Sequence, residues 1–166
     1  MNKELAKELI RRGKLDQDMR NRFLKDGTWN ASIDYDNTDF MKRLVSEGGW
    51  PKISEVGKKA ANIAWLLVQH ADHDLTFQKE CLKLIQKLDE GEVNKADVAY
   101  LVDRILVAEG KPQIYGTQFY NEANRLTPRK IKDKANLDKR RREVGLESFK
   151  SYKKTMQQYA SQSKNN

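Results

Sequence analysis

The sequence is poor in the residues that interrupt helices or cross-link a chain. Its 166 residues include three prolines, nine glycines and a single cysteine, Cys81. One cysteine excludes an internal disulfide framework and is typical of a reducing compartment. Cys81 stands beside Leu82 in a helical pattern, so we expect a buried, unreactive thiol. The scarcity of glycine and proline favours a mainly helical protein.

Long apolar runs are missing as well. No stretch approaches the roughly 18–20 apolar residues that a membrane span needs. The first 14 residues, MNKELAKELIRRGK, lack the uninterrupted apolar core of a signal peptide. The sequence therefore predicts a soluble cytoplasmic protein with no membrane partner.

Charge is abundant and unevenly distributed. The formal net charge is +8; residues 1–126 contain 20 basic and 20 acidic side chains, and the remainder contains 12 basic and 4 acidic ones. The basic section Arg129–Lys154 suggests nucleic acid or an acidic protein surface as a partner. The alternative is a solvated helical face with no partner. No helix-turn-helix and no aromatic stacking platform accompanies the section.

Hydrophobic spacing predicts helices along most of the chain, and hence an all-α, compact single domain over residues 1–160 with a frayed tail at 161–166. Gly13 is expected to bend or break the first helix. Gln113–Phe119 is expected to be a loop or short extended segment. The predicted helices are 2–25, 39–47, about 55–71, a helix capped by Asp72 or Asp74 and running to about 88, a helix opened by Asn94–Asp97, and basic helices within 129–144 and 147–160. Thr127 is expected to cap the first basic helix, with Pro128 at its first position.

The densest apolar run, Ala60–Val68, leads directly to Gln69 and His70. A helix that is apolar on nearly all sides is expected to be central in the fold. His70 at its end is therefore either a general acid or base oriented by a carboxylate such as Asp103, or a neutral core histidine.

The only other histidine, His73, lies between Asp72 and Asp74 and invites comparison with a metal site. A His-Glu-x-x-His motif is absent, and the expected helix break at 72–74 destroys the helical spacing of the possible ligands. We therefore predict no metal site, and no cofactor is indicated.

A second polar cluster follows later in the chain. Asp103 and Arg104 stand inside an apolar helix, so each needs a partner if it is buried. Arg104 is expected either to hold an anionic ligand or to form a structural ion pair. Tyr115, Thr117 and Gln118 follow the end of that helix in a loop with one glycine and no lysine after it, which is unlike a phosphate-binding glycine loop.

Several segments together carry a resemblance to a known family. They are Gly49-Trp-Pro51, Trp65-Leu-Leu-Val-Gln-His-Ala-Asp72, Phe77-Gln78, Ala99-Tyr-Leu-Val-Asp-Arg104, Gly110-x-Pro-Gln113, Tyr115-Gly-Thr-Gln118 and Arg140-Arg-x-x-x-Gly-Leu146. With them the chain resembles a bacterial family catalogued as domain of unknown function 6624. The resemblance runs from about residue 37 to 152 and implies that these polar segments form the family's signature, without implying an activity. Residues before about 37 are expected to lie outside it.

Two functional hypotheses follow. The first is a pocket that binds a small polar or anionic ligand, with His70 as the candidate acid–base residue. Whether the protein is an enzyme stays open, because no nucleophile motif is present. The second is a non-catalytic interaction module that uses its basic C-terminal helices. Ligand-binding candidates for the first are Trp50, Gln69, Asp103, Arg104, Tyr115, Thr117 and Gln118.

Overall fold

A computed structural model describes residues 1–122 and 125–162, with side chains up to residue 158. The chain divides into two units, Met1–Asp97 and a second that begins at Val98. The predicted single domain over residues 1–160 stays a prediction. Among the described residues, no helix is both long enough and apolar enough to cross a membrane.

The first unit is helical throughout, which agrees with the predicted all-α class. Its central element is α4, which packs against α1, α2, α3 and α5. Small and branched apolar residues such as Ala60, Ala64 and Val68 are fully buried in α4, so neighbouring helices approach it from several sides. The helices are α1 (Lys3–Asp26), α2 (Ala31–Gly48), α3 (Ile53–Val56), α4 (Lys58–Gln69) and α5 (Leu75–Ile85), and α6 (Lys95–Ala108) begins before the division.

The expected break at Gly13 is wrong, because α1 runs without interruption for 24 residues. Gly13 instead permits a close helix crossing. A Cβ atom at this position would lie 2.7 Å from the Cδ1 and Cγ2 atoms of Ile63 in α4. The glycine is therefore explained by packing rather than by a turn.

Two other helix boundaries differ from the prediction. The helix expected at 39–47 is α2, which begins eight residues earlier after the N-cap Asn30, whose Oδ1 accepts from the Ser32 amide. The helix expected at about 55–71 is divided at Gly57, where φ is +82°. Only glycine adopts such a φ at low cost, so α3 and α4 are separate helices.

The second unit contains most of α6, a two-stranded hairpin and the C-terminal helices. Strands β1 (Phe119–Glu122) and β2 (Arg125–Pro128) pair antiparallel, with Phe119 opposite Pro128. The helix start expected at Thr127–Pro128 is therefore wrong, since both residues belong to β2.

The basic helix expected within 129–144 is shorter than predicted. Residues 129–132 continue from the hairpin alongside Gln113, whose amide donates to the Lys130 carbonyl and whose carbonyl accepts from the Lys132 amide. A 3-10 turn (Lys134–Asn136) and α7 (Leu137–Glu143) follow, and then α8 (Phe149–Gln162). Residues 161 and 162 of the expected frayed tail belong to α8; 163–166 lie outside the described residues.

Candidate functional site

His70 is held at the C-terminal end of α4. The buried side chain of Gln78 donates from Nε2 to the carbonyls of Val68 (3.2 Å) and Gln69 (3.1 Å). Asp74 caps the start of α5, where it accepts from the Phe77 amide at 2.9 Å. The end of α4 and the start of α5 are thereby tied together, and the position of the His70 backbone is fixed.

The His70 ring meets a buried carboxylate from α1. Its Nδ1 lies 2.9 Å and 3.1 Å from the two carboxylate oxygens of Asp16. The Asp16 side chain is fully buried, whereas 14% of the His70 side chain is exposed. Asp16 and His70 are 54 positions apart in the chain, so only the packing of α1 against α4 brings them together.

Arg20, one helical turn after Asp16, contacts the same ring. Its Nε lies 3.0 Å from Nδ1 of His70 and 3.4 Å from Nε2. Nδ1 either donates to Asp16 or accepts from Arg20, because one nitrogen cannot do both. Since Asp16 is ionised near neutral pH, the favoured tautomer carries its proton on Nδ1, with Nε2 as the acceptor. Among the described residues, Nε2 then has only the long contact to Arg20.

Arg20 joins this pair to a second carboxylate. Its Nη2 lies 2.9 Å from Asp34 and 3.4 Å from Asp16, and its Nη1 is buried with no hydrogen-bond partner among the described residues. We call Asp16, Arg20, Asp34 and His70 the histidine cluster. It holds two acids, one permanent cation and one titratable ring.

The two carboxyl groups of the histidine cluster differ in acidity. Burial raises the pKa of Asp16, but the hydrogen bond and charge of His70, with Arg20, outweigh it, so this pKa lies below its ordinary value. Burial dominates at Asp34 and holds its pKa above the ordinary value despite Arg20. Two neighbouring carboxyl groups whose pKa values shift in opposite directions are typical of sites where one group stays charged and another can exchange a proton.

Exposed aromatic rings lie beside the cluster. The Arg20 guanidinium carbon is 5.1 Å from the centroid of the Trp29 ring, and Trp29 is 47% exposed. Tyr35 follows Asp34 in α2, is also exposed, and packs on the His73 ring with centroids 4.2 Å apart. The Trp29 ring thus gives the cluster an apolar edge that is open to solvent.

Two further predicted site residues belong to this unit. Gln69 and Trp50 are both buried, and among the described residues neither Gln69 Oε1 nor Trp50 Nε1 has a hydrogen-bond partner. An unpaired buried polar atom costs free energy unless a water or ligand satisfies it. Both atoms therefore have unused capacity to form a polar contact.

The other predicted site residues meet in the second unit, where they hold a loop. Asp103 is fully buried and accepts from the amides of Ile114 (2.7 Å), Tyr115 (3.0 Å) and Thr117 (2.9 Å), and from the Thr117 hydroxyl (3.0 Å). The carboxylate is thus surrounded by donors from residues 114–117. The carboxylate at His70 is Asp16, whereas Asp103 organises this loop.

The neighbouring glutamines complete the loop. The Gln118 amide donates to Gln113 Oε1 at 2.8 Å, and Gln118 Nε2 donates to the Thr117 hydroxyl at 3.0 Å. Arg104 reaches Gln118 Oε1 at 3.5 Å. The polar groups of Thr117 and Gln118 are therefore largely used within the protein. The single pocket predicted for His70 and Asp103 spans both units and stays a prediction.

The basic run of α7 also serves this loop. Arg141 is fully buried and donates to the Tyr115 carbonyl at 2.6 Å and the Glu147 carbonyl at 2.7 Å. Its guanidinium carbon lies 4.9 Å from the Tyr152 ring centroid. Arg140 donates to the Ile114 carbonyl at 3.0 Å. Two of the predicted partner-binding cations are thus structural.

Sequence reasoning missed Asp16, Arg20 and Asp34. The available signal was the apolar stripe of α1, whose buried residues Leu9, Gly13 and Met19 share the stripe with Asp16. An aspartate inside an apolar stripe needs a buried partner, and Arg20 follows at the i+4 position. No group of three or more metal-ligating side chains with suitable geometry occurs among the described residues.

These features define a predominantly α-helical protein with a histidine–carboxylate pair in its first unit and a carboxylate-centred loop in its second. The family of unknown function DUF6624 matches the chain over residues 4–164, and the chain belongs to this family. The match includes α1, so the expectation that residues before about 37 lie outside the family is wrong. No curated protein and no solved structure matches the chain.

Proposed function

We propose that the first unit binds a small polar ligand at His70 and that the imidazole exchanges a proton with it. The observation that carries the proposal is the contact between Nδ1 of His70 and the buried Asp16, which holds the tautomer and leaves Nε2 as a base. A partly exposed ring held by a buried carboxylate is the usual arrangement of a histidine general base.

The charges of the histidine cluster narrow the kind of ligand. With His70 neutral, the two carboxylates outweigh the one guanidinium, so a neutral polar ligand is favoured over an anion. An anionic ligand should therefore bind more weakly than a neutral polar ligand of similar size.

Nuclear magnetic resonance of the two histidine rings tests the proposal. A library of small polar metabolites is added to the full chain, and the Cε1–H signals of His70 and His73 are followed. A ligand of the cluster should shift the His70 signal and lose affinity in H70Q, while H73Q is the matched control and should keep it.

The stability of the same variants separates binding from structure. H70Q should keep a melting temperature within a few degrees of the parent protein if the ring serves a ligand. A library with no member that perturbs His70, together with an H70Q variant that unfolds, would show that the pair is structural.

The second candidate function is binding of a polyanion, nucleic acid or an acidic protein, by the second unit. The unit that begins at Val98 has 15 basic and 7 acidic side chains, so it carries the whole net charge of +8. Binding through phosphate contacts should weaken steeply between about 50 and about 200 mM salt. If the protein retains no nucleic acid at the lower salt concentration, nucleic acid is excluded as the polyanion.

A further inference from the structure

A groove in the second unit is lined by side chains that suit a phosphate-bearing ligand. It has a volume of about 480 Å³, within the range of about 300–1,000 Å³ common for small-molecule sites. We call it the cationic groove. Its cations are Lys111, Arg129 and Lys130, its flat apolar surfaces are Tyr120, Pro112 and Pro128, and no carboxylate lines it among the described residues.

The wall that carries Arg129 and Lys130 is held rigidly by Gln113, which is fully buried. The Gln113 side chain donates to the Arg129 carbonyl at 2.9 Å, and its backbone amide donates to the Lys130 carbonyl at 2.9 Å. The Arg129 amide donates to the Gln118 carbonyl at 3.0 Å. The two cations therefore project from an ordered backbone, which lowers the entropy cost of binding.

The cations of this wall are not neutralised by a carboxylate of the described residues. Neither Arg129 nor Lys130 forms an ion pair with a carboxylate among the described residues. The Arg129 guanidinium carbon instead lies 4.6 Å from the centroid of the Tyr120 ring. This contact orients the guanidinium and leaves its charge available to an anion.

The opposite wall comes from the end of α6, where free carbonyls would repel an anion. Those carbonyls are occupied, because the Lys111 amide donates to Leu106 at 2.8 Å and the Gly110 amide donates to Val107 at 3.0 Å. Lys111 itself pairs with Glu109 at 2.7 Å. The positive potential of the groove therefore arises mainly from Arg129 and Lys130.

We propose that the cationic groove binds a nucleotide, with Arg129 and Lys130 on the phosphate and the base or sugar packed against Tyr120 and the two prolines. A guanidinium forms paired hydrogen bonds with phosphate oxygens, and an aromatic or proline face offers apolar contact to a base. The nucleotide is either free or part of a single strand. The proposal narrows the second candidate function to one site and is independent of the histidine cluster.

The test uses the full chain and three probes at low salt: adenosine monophosphate, inorganic phosphate and an oligoadenylate of about five nucleotides. Backbone amide signals of residues 107–111, 118–120 and 129–130 should move with the nucleotide. In the double variant R129Q/K130Q, affinity for it should fall at least about tenfold, because charge-assisted hydrogen bonds are lost. In Y120L, affinity for the nucleotide should fall several-fold more than affinity for inorganic phosphate, which loses only the orientation that the ring gives Arg129.

The matched control removes two other cations of the same unit. K153Q/K154Q changes the net charge by the same amount on α8 and should alter nucleotide affinity less than about twofold. For the oligonucleotide, R129Q/K130Q should lower the slope of log affinity against log salt by about 1 to 1.5. If the oligoadenylate binds far more tightly than adenosine monophosphate, the nucleotide that the groove recognises is part of a single strand.

Three outcomes overturn the proposal. Equal losses of affinity in the two double variants would place nucleic-acid binding on the general charge of the unit, so the second candidate function would survive without the groove. Absence of amide shifts at 107–111 and 129–130 with every probe would remove the site itself. Equal affinity for inorganic phosphate and nucleotide, unchanged in Y120L, would reject recognition of the base.

Discussion

Replacement of Asp103 by asparagine should sharply destabilise the second unit. In the parent protein one carboxylate oxygen accepts from Ile114 and Tyr115, and the other accepts from the amide and hydroxyl of Thr117. Asparagine keeps one oxygen and puts an NH2 group in place of the other. The Thr117 amide would then face a donor, while the hydroxyl can turn to accept.

The size of the effect follows from these contacts. A hydrogen bond to a charged group contributes about 1.5–3 kcal/mol, and a buried donor left unpaired costs about 1–3 kcal/mol. D103N loses one such bond and leaves one amide unpaired, so we expect a loss of about 3–5 kcal/mol. That is a large part of the about 5–15 kcal/mol by which a domain is usually stable.

Urea unfolding followed by circular dichroism measures the loss, and amide hydrogen exchange locates it. Exchange at Thr117 should accelerate more than exchange at Ile114, because only Thr117 loses its acceptor. The matched control is D97N. Asp97 is also buried, but burial raises its pKa, and within the described part of the chain its carboxylate accepts only from Asn62 Nδ2, at 2.8 Å. Asparagine can accept that bond, so D97N should be neutral or slightly stabilising.

Equal stability of D103N and the parent protein would refute this reasoning. So would similar losses in D103N and D97N, because the argument predicts that two buried aspartates differ through the number of donors they satisfy.

Three further predictions concern the first unit. G13A should lower the free energy of unfolding by about 1–2 kcal/mol in urea, because overpacking against Ile63 exceeds the gain in helix propensity. Cys81, whose pKa is raised to about 12 by burial, should react with a thiol reagent such as Ellman's reagent only after unfolding. The low pKa of Asp16 contributes stability above the unfolded-state pKa of about 3.9, and this contribution is lost as pH falls through the folded-state pKa. In D16N the slope of the free energy of unfolding against pH should therefore be smaller below about pH 4, by an amount that corresponds to at most one bound proton. Urea titrations at several pH values measure this slope.

The two substitutions each have a control within the chain. G48A places a Cβ in open space at the end of α2 and should stabilise by up to about 1 kcal/mol, so a loss equal to that of G13A would contradict the packing argument. D18N changes an exposed aspartate of α1. If D18N altered the loss of stability at acidic pH as much as D16N does, the role of burial would be contradicted. Rapid labelling of Cys81 in native buffer would contradict its burial.

The features predicted correctly from the sequence are local ones. The apolar run of α4 and the cap at Asp74 depend on neighbours within a few positions, and both occur as expected. The hairpin was missed because Thr127–Pro128 has the same local appearance as a capped helix start. The early part of α2 was missed because its polar side chains conceal the helical period.

The candidate site shows the same difference between local features and contacts made by distant residues. The end of the apolar run of α4 pointed to His70 as a candidate, but its carboxylate partner, Asp16, lies 54 positions away in the chain. The spacing of apolar residues along a helix contains no information on pairs that are so distant in the sequence. Asp103 and its donors are separated by 11 to 14 positions, which a helix-plus-loop pattern allowed but did not specify.

The loop at 114–117 lies between two buried ions of opposite sign, since Asp103 binds its amides and Arg141 binds the Tyr115 carbonyl. Each ion alone would be costly to bury. The peptide groups between them therefore become favourable to bury only when α6, the loop and α7 are all in place. This arrangement predicts cooperative folding of the second unit and limits where the chain can be cut. A fragment that ends before Leu137 would lack the cation and should stay unfolded, so expression trials of this unit should keep α6 and α7 on one polypeptide.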